Sequence, residues 1–139
     1  MALSKIDADG VTGLQETLTA TTTVPSEGGA VTTNLVQGVA KAWVNHSGST
    51  TVRDSFNVAS NTDNGTGDYT TNYSNAMGNG DYTMSGSTEG TVASNNGNLG
   101  VKDSNAALTT SGVRHIIINN SNNAADRDPV LVIVHGDLA

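Results

Sequence analysis

Short alternating runs that end at turn-forming residues are the feature of this sequence that most limits its fold. From residue 39 onward, the chain alternates with a period of two around Trp43 and again in the segments 55–58 and 69–73. Each run is followed by Gly, Asn, Asp or Ser, which end strands and form turns. The pair Asn64–Gly65 favours the positive φ angles of a tight hairpin, and a further glycine lengthens the loop. This pattern predicts an antiparallel, all-β domain.

Two later segments, 114–118 and 130–134, differ from these runs because their apolar residues are consecutive. Consecutive apolar residues indicate strands that are buried on both faces. We expect one face to meet the core of the domain and the other to meet a neighbouring subunit. Pro129 can begin the second strand, but it has no N–H to donate from a central position. The segment between the two strands, 119–128, is rich in Asn and predicts a loop.

Large apolar side chains are scarce in this chain. Leu, Ile, Val and Phe account for 28 of the 139 residues. A chain near this lower limit builds a thin core and gains stability by burying further surface between subunits. Composition therefore predicts an oligomer. Cysteine is absent, which excludes disulfides and cysteine-ligated metals.

The charge balance argues against two classes of partner. The net charge is −7, and the six Lys and Arg residues are scattered singly. Binding to a polyanion such as nucleic acid requires clustered cations, so neither nucleic acid nor an anionic membrane is expected. No run approaches the roughly 18 apolar residues of a membrane helix, so membrane insertion is not expected. A polysaccharide partner would have to be held by short-range hydrogen bonds and ring stacking.

Residues 1–38 predict an N-terminal attachment arm, and residues 39–139 predict the head domain. Apolar residues recur at helical spacing from Val11 to Leu18, enough for one or two helical turns. The arm is interpreted either as a leader without fixed structure or as a peptide that orders on a larger assembly. The apolar residues predicted for attachment are Leu3, Ile6, Val11, Leu14 and Leu18.

Four stretches of the sequence resemble one known family. They are 33–45, 53–58, 132–137 and 63–70, the last of which reads Asp-Asn-Gly-Thr-Gly-Asp-Tyr-Thr. Together they resemble the C-terminal module of tail-fibre proteins of tailed bacteriophages, especially those of marine and freshwater bacteria, including cyanophages. The resemblance implies a small antiparallel β-sandwich or jelly-roll-like head, homotrimeric, at the tip of an appendage on the virion surface. It also implies other virion proteins as partners.

Candidate functional residues form two groups. Asn side chains both donate and accept hydrogen bonds, as sugar hydroxyls do, so Asn-rich loops could contact a host-surface glycan. The alternative is that these loops are solvated turns, since Asn and Gly favour turn geometry. The predicted receptor-binding residues are Asn75, Asn79, Asn95, Asn96, Asn98, Asn120, Asn122 and Asn123. The predicted core or trimer-interface residues are Trp43, Phe56, Ile117, Val132 and Val134.

Charged and titratable residues suggest structural roles. Arg53 is predicted to pair with Asp63 or Asp68 once the hairpin closes. His115 and His135 lie in the two apolar strands, but neither has the second His one position away that metal-binding fibres use. No metal and no other cofactor is predicted.

The sequence favours a structural protein over an enzyme. It contains no Gly-x-Ser-x-Gly elbow, no His-Glu-x-x-His motif and no phosphate loop, and no spacing positions two acids as a glycosidase pair. No catalytic residue is therefore predicted. The leading hypothesis is a virion appendage protein, a tail fibre or fibre tip, that docks by its arm and presents its head for host recognition. The alternatives are a capsid-decoration or head-fibre protein with a mainly structural role, and a small carbohydrate-active enzyme.

Overall fold

A computed structural model of the chain describes residues 23–25, 32–89, 97–102 and 107–139. The chain divides into two units, Met1–Val39 and Ala40–Ala139. In the first unit, strands β1 (Thr23–Pro25) and β2 (Thr32–Asn34) pair antiparallel, and one helical turn, α1 (Leu35–Gly38), follows. The residues predicted for attachment, Leu3, Ile6, Val11, Leu14 and Leu18, lie outside the described residues. The attachment role of this unit stays a prediction.

The second unit contains two antiparallel sheets. Its strands are β3 (Ala42–His46), β4 (Val52–Phe56), β5 (Val58–Gly65), β6 (Asp68–Tyr73), β7 (Thr83–Thr88), β8 (Asn98–Val101), β9 (Leu108–Thr109), β10 (Gly112–Ile118) and β11 (Val130–His135). Sheet I has the order β5-β6-β10-β8, with β9 also paired to β10, and sheet II has the order β4-β3-β11-β7. The prediction of an all-β, antiparallel domain is confirmed, and the two sheets are consistent with the predicted β-sandwich.

The two strands with consecutive apolar residues occupy interior positions. β10 lies between β6 and β8 in sheet I, and β11 lies between β3 and β7 in sheet II. A strand with neighbours on both sides has no exposed backbone edge, which suits a run of β-branched residues. The strands β7, β8 and β9 fall in a part of the sequence with few apolar residues, where the periodicity is too weak to predict them.

The two sheets share one hydrophobic core. Alternate residues of β11 and β10 point into it, because successive side chains of a strand point to opposite faces. Three residues predicted as core or interface, Ile117, Val132 and Val134, are buried here. The other buried members of the core are Ala42, Val44, Tyr69, Tyr73, Met77, Tyr82, Val113 and Val130. Most of these side chains are small, so the three tyrosines supply much of the buried area.

The chain passes from sheet II to sheet I at Asn57, between β4 and β5. Asn57 has a φ of +54°, a conformation that costs free energy for a residue with a Cβ. Its side chain offsets this cost by bridging two segments. Nδ2 donates to the carbonyl oxygens of Lys41 at 3.0 Å and Asn75 at 3.1 Å, and Oδ1 accepts the backbone N–H of Asn75 at 2.7 Å. Asn57 therefore fixes the corner at which one extended stretch joins both sheets.

The predicted hairpin between β5 and β6 is confirmed, with Gly65 at φ +133° and Gly67 at φ +65°. Gly67 also meets the segment that follows β10. A Cβ added there would lie 2.6 Å from the carbonyl oxygen of Ile117 and 2.7 Å from the amide nitrogen of Ala125. Only glycine satisfies both the backbone angle and this close approach.

We predict that Asn57→Ala lowers the free energy of unfolding by about 3 kcal/mol, because it removes several hydrogen bonds of about 1 kcal/mol each and leaves the positive φ unsupported. Asn57→Gly keeps the positive φ accessible, so it should lower the free energy of unfolding by about 1 kcal/mol less than Asn57→Ala does. Urea denaturation of the two variants separates the side-chain contribution from the backbone contribution.

The matched control for this comparison is Asn64→Ala, which removes a single exposed hydrogen bond to Thr70 Oγ1. It should cost less than about 1 kcal/mol. Equal losses for Asn57→Ala and Asn64→Ala would contradict the role assigned to the corner.

Candidate functional site

The outer face of sheet I is polar over β5 and β6, where its groups largely hydrogen-bond to one another, while Ile116 and Ile118 of β10 lie partly buried on the same face. Thr62 is paired in register with Thr70, and Ser60 is paired with Asn72. The amide Nδ2 of Asn72 donates to Ser60 Oγ at 3.1 Å and to Thr62 Oγ1 at 3.0 Å. Asn64 Nδ2 donates to Thr70 Oγ1 at 2.9 Å. Ladders of this kind present a solvated surface, with hydroxyl and amide groups rather than apolar carbon.

An ion pair crosses the same outer face. Arg114 donates from Nε and Nη2 to the two carboxylate oxygens of Asp68, each at 2.8 Å, and Lys102 Nζ lies 3.7 Å from Asp68 Oδ2. The hydrogen bonds and charge of Arg114 hold the pKa of Asp68 below its ordinary value. Bidentate geometry of this kind gives Arg–carboxylate pairs both strength and orientation.

The predicted pairing of Arg53 with Asp63 or Asp68 is wrong. Arg53 lies on β4 in sheet II and forms its ion pair with Asp128, in the segment before β11. Asp68 lies in sheet I, where Arg114 engages it. The prediction failed because it assumed that the segments around Arg53 and Asp68 share one sheet, whereas the chain changes sheet at Asn57.

The centre of the outer face of sheet II is apolar, and Asn45 of β3 and Asp54 of β4 lie at its margin. Trp43 is paired in register with Phe56 on one side and with Ile133 on the other, so the three side chains form a row on one face. Leu131 lies on the same face, next to Ile133 along β11. Phe56 is 52 % exposed and Leu131 is 36 % exposed, while Trp43 and Ile133 are partly buried. We call these four residues, Trp43, Phe56, Leu131 and Ile133, the aromatic face.

A groove of about 380 Å³ runs beside the aromatic face, towards β7. Its lining residues are all uncharged: Trp43, Val44, Asn45, Gly86, Ser87, Leu131, Val132 and Ile133. Ser85 and Ser87 of β7 have small side chains on this outer face. The surface is therefore shallower over β7 than at the other edge of the same face, where Trp43 and Phe56 protrude. A contiguous exposed apolar patch with a hollow beside it is typical of a surface that contacts another protein.

Trp43 and Phe56 therefore lie outside the core of this unit. Trp43 alternates with Ala42 and Val44, which are buried between the sheets, so its indole points to the opposite face. The position of Trp43 and Phe56 contradicts the core alternative within this unit and is compatible with the predicted interface role. That role stays a prediction.

The loops at one end of the two sheets form a polar surface, which we call the loop end. It comprises the loops 47–51, 66–67 and 119–129. A pocket of about 330 Å³ opens here. Its lining residues are Ser47, Gly48, Ser49, Glu89, Asp126, Arg127 and Asp128. These residues come from three separate parts of the chain, each in a loop without a motif, so the sequence carried no signal that would bring them together.

The loop end is tied to the core by Tyr69. The ring of Tyr69 is fully buried between the sheets, while its hydroxyl lies 2.6 Å from Asp126 Oδ1 and 2.9 Å from the carbonyl oxygen of Gly48. Asp126 Oδ1 also accepts the backbone N–H of Gly67 at 2.7 Å. One tyrosine and one carboxylate therefore connect all three loops of this end.

Beneath these contacts, two histidines pack against Tyr69. His46 and His115 are both fully buried, with ring centroids 5.7 Å apart, and each centroid lies within 6 Å of the Tyr69 ring. The Nδ1–H of His46 donates to the carbonyl oxygen of Ser47 at 2.7 Å, which assigns the neutral tautomer. Among the described residues, His46 Nε2 and both ring nitrogens of His115 make no hydrogen bond of normal geometry.

Burial keeps both imidazoles neutral. It lowers the pKa of His46, and the charge of Arg53 acts in the same direction, against smaller opposing effects of the Ser47 carbonyl and Asp128. Burial also lowers the pKa of His115 to about 4, helped by the proximity of His46 and opposed by the Val113 backbone and Asp68. The sequence predicts that His115 lies in an apolar strand. It does not predict the contact with His46, because the two residues are 69 positions apart.

The predicted receptor-binding asparagines separate into two groups. Asn98 begins β8 and is paired with Ile118, so it lies at the loop end, as do the three in the loop after β10. Asn75 and Asn79 follow β6 at the opposite end. The group at the loop end is Asn98, Asn120, Asn122 and Asn123, and the group at the opposite end is Asn75 and Asn79. Asn95 and Asn96 lie outside the described residues.

Several asparagines support the backbone locally. Asn75 Nδ2 donates to Asn57 Oδ1 at 3.0 Å, Asn79 Oδ1 accepts the N–H of Asp81, and Asn122 adopts φ +60° in its turn. The receptor-binding role of the eight residues stays a prediction.

The described residues contain no cluster of three or more His, Cys, Asp or Glu side chains with the geometry to hold a metal ion. In the same part of the chain, no helix has both the length and the apolar character needed to cross a membrane. His135 lies partly buried on the outer side of β11, away from His46 and His115.

We predict that Tyr69→Phe destabilises the unit by about 2 kcal/mol, because Asp126 and the Gly48 carbonyl lose a buried donor. Tyr73→Phe is the matched control. The Tyr73 hydroxyl makes no hydrogen bond of normal geometry among the described residues. Its removal should therefore leave the free energy of unfolding unchanged or raise it slightly. Thermal denaturation of both variants at pH 7.5 measures the difference, and equal effects would refute the tie between Tyr69 and the loop end.

Comparisons of the chain with protein-family models, with curated proteins and with solved structures give no match.

Proposed function

We propose that this chain is a structural subunit of a bacteriophage virion appendage, a tail fibre or fibre tip. Its two-sheet unit is a β-sandwich-like head that assembles as a homotrimer through the aromatic face. The observation that carries the proposal is the contrast between the two outer faces: sheet I is covered by a polar ladder, whereas sheet II presents Trp43, Phe56 and Leu131.

The hydrophobic effect favours covering this face. Burying a large apolar side chain contributes roughly 1.5–3 kcal/mol relative to leaving it exposed. The only Trp and only Phe of the chain lie together on this face, whereas the large rings of the core are tyrosines. A chain with so few large apolar residues would place them in its core unless the outer face also became buried.

A second copy of the same chain fits the face better than a charged partner. The groove lining is uncharged, and a charge buried against it would have no partner. Another copy supplies a similarly apolar surface, with Asp54 beside Phe56 at its margin. In a closed ring of copies, each interface is heterologous, which means that two different patches meet. The protruding Phe56 at one edge of sheet II and the shallow surface over β7 at the other edge suit such an interface.

The loop end is proposed as the surface that contacts the host. It carries hydroxyl, amide and carboxylate groups, which can hydrogen-bond to sugar hydroxyls. The net charge of −7 favours a neutral glycan over an anionic one. Each contact would be weak, and the three copies of a trimer would add avidity. The N-terminal unit would dock on the remaining virion proteins.

Imaging of the virion tests the location. Antibody or gold labels against the head are expected on the tail or its fibres. Label confined to the capsid surface would replace the tail-fibre proposal by a capsid-decoration role, and an unlabelled particle would overturn both. Purified head protein should also reduce adsorption of the phage to its host, and no reduction at saturating concentration would remove the receptor-binding part.

We predict that Phe56→Asp lowers the affinity of self-association by about 100-fold or more, because a carboxylate would lose its hydration in an apolar contact. Analytical ultracentrifugation over a range of concentrations measures the shift from trimer to monomer. Phe56 is on an edge strand and half exposed, so the melting temperature of the monomer should hardly change.

The control for this variant is Thr62→Asp, an equivalent new charge on the polar outer face of sheet I. It should leave the oligomeric state unchanged. A wild-type chain that remains monomeric at high micromolar concentration would contradict the proposed assembly, and so would equal weakening by both variants.

A further inference from the structure

The histidine cluster beneath the loop end is not explained by the proposed appendage role. Two of the three histidines of the chain, His46 and His115, are fully buried and in contact with each other, in a core otherwise made of aliphatic and tyrosine side chains. Packing alone does not require imidazole here, since aliphatic or aromatic residues of similar size would fill the space without the cost of burying ring nitrogens.

We propose that His46 and His115 form an acid-sensitive latch, which keeps the loop end closed at neutral pH and opens it when either imidazole takes up a proton. The inference concerns a single chain and does not depend on the appendage role.

The latch requires both rings to be neutral. His46 donates its one proton from Nδ1 to the Ser47 carbonyl, so a second proton would enter at Nε2, which is buried and faces no hydrogen-bond acceptor among the described residues. His115 is buried on all sides, and a charge on either ring would lie within about 6 Å of the other. An uncompensated buried charge costs several kcal/mol, so the closed state excludes it.

The charged groups around the cluster are engaged elsewhere. Asp128 pairs with Arg53, which approaches the His46 carbonyl from β4, and Asp126 accepts from Tyr69. Asp68 pairs with Arg114 and Lys102 on the outer face of sheet I. Among the described residues, the charged groups that act on the two imidazoles are Arg53 from β4, Asp68 from β6 and Asp128 from the loop before β11. Asp63 from β5 and Asp126 act on Tyr69, while Lys102, which follows β8, and Arg114 from β10 act on Asp68. Val130 of β11, opposite His46 in register, carries no charge.

Opening would begin at the loop end because the cluster lies directly under it. His46 is the last residue of β3, next to an irregularity in its pairing with β4. Tyr69, which packs on both imidazoles, is also the residue that holds Asp126 and the Gly48 carbonyl. At the opposite end the core is closed by Tyr73, Tyr82 and Met77, and no histidine lies among them. That end should stay closed when the latch releases.

The direction of the pH effect follows from the two states. The folded pKa of His115 is about 4, below the 6.5 of an exposed imidazole, so the open state binds more protons as the pH falls. Stability is constant above about pH 6.5 and declines from there towards pH 4. From His115 alone, the opening equilibrium at pH 5 should be about 30-fold larger than at pH 8. The stabilising pair of Asp68 is lost only below its ordinary value of 3.8, outside this window.

Hydrogen exchange followed by mass spectrometry tests the latch on the full chain at pH 8, 6 and 5, after correction for the intrinsic pH dependence of exchange. Peptides covering 47–51 and 119–128 should lose protection by about 30-fold or more at pH 5, while peptides covering 73–82 keep it. Uniform loss over the whole unit would replace the latch by global acid unfolding. Unchanged protection at the loop end would overturn the proposal.

The variant His115→Leu, of similar volume and without a titrating group, should reduce the effect of pH 5, because only His46 of the cluster can then take up a proton. His135→Leu is the control, because His135 lies outside the cluster, and it should retain the full response. If His115→Leu does not fold, NMR titration of the imidazole signals in the wild-type chain decides. A folded-state titration of His46 and His115 near pH 6.5 would refute the latch.

Discussion

The burial of one shared core between β10 and β11 is the constraint on which the rest of this structure depends. Both strands have consecutive apolar residues, and each lies at an interior position of its sheet. Because a thin aliphatic core contributes limited stabilisation, the tyrosines add both ring area and hydroxyl contacts that reach the loops. Tyr69 does so at the loop end and Tyr82, which donates to the Gly112 carbonyl, does so near the other end.

The core and the outer face of sheet II divide the large side chains between them. Space between the sheets is filled by Val, Ala, Ile, Met and Tyr side chains. Trp43 and Phe56 lie on the outer face of sheet II. The two faces of the unit thus differ in chemistry: hydroxyls, amides and an ion pair on sheet I, and exposed apolar carbon on sheet II. This difference, rather than any motif, supports assembly.

Local patterns predicted the elements well and their long-range partners poorly. Alternation identified the strands around Trp43 and Tyr69, and the Asn64–Gly65 pair identified the hairpin, because each signal acts within a few residues. The partner of Arg53 was predicted wrongly because a single residue, Asn57, turns the chain from one sheet to the other. The sequence shows a residue type that tolerates a positive φ, but it does not show that this asparagine adopts one. The polar pocket and the histidine pair join segments far apart in the chain, where spacing carries no information.

The sequence by itself determined that this protein is all-β and antiparallel, that its core is thin, and that 114–118 and 130–134 form strands. These conclusions follow from side-chain alternation and turn chemistry, which act over neighbouring residues. Only the tertiary structure decided which faces of the sheets point inward, and hence that Ile117 is buried while Phe56 is exposed. It also decided that His46 meets His115. Those outcomes depend on how two sheets pack, and packing is a property of distant segments brought together.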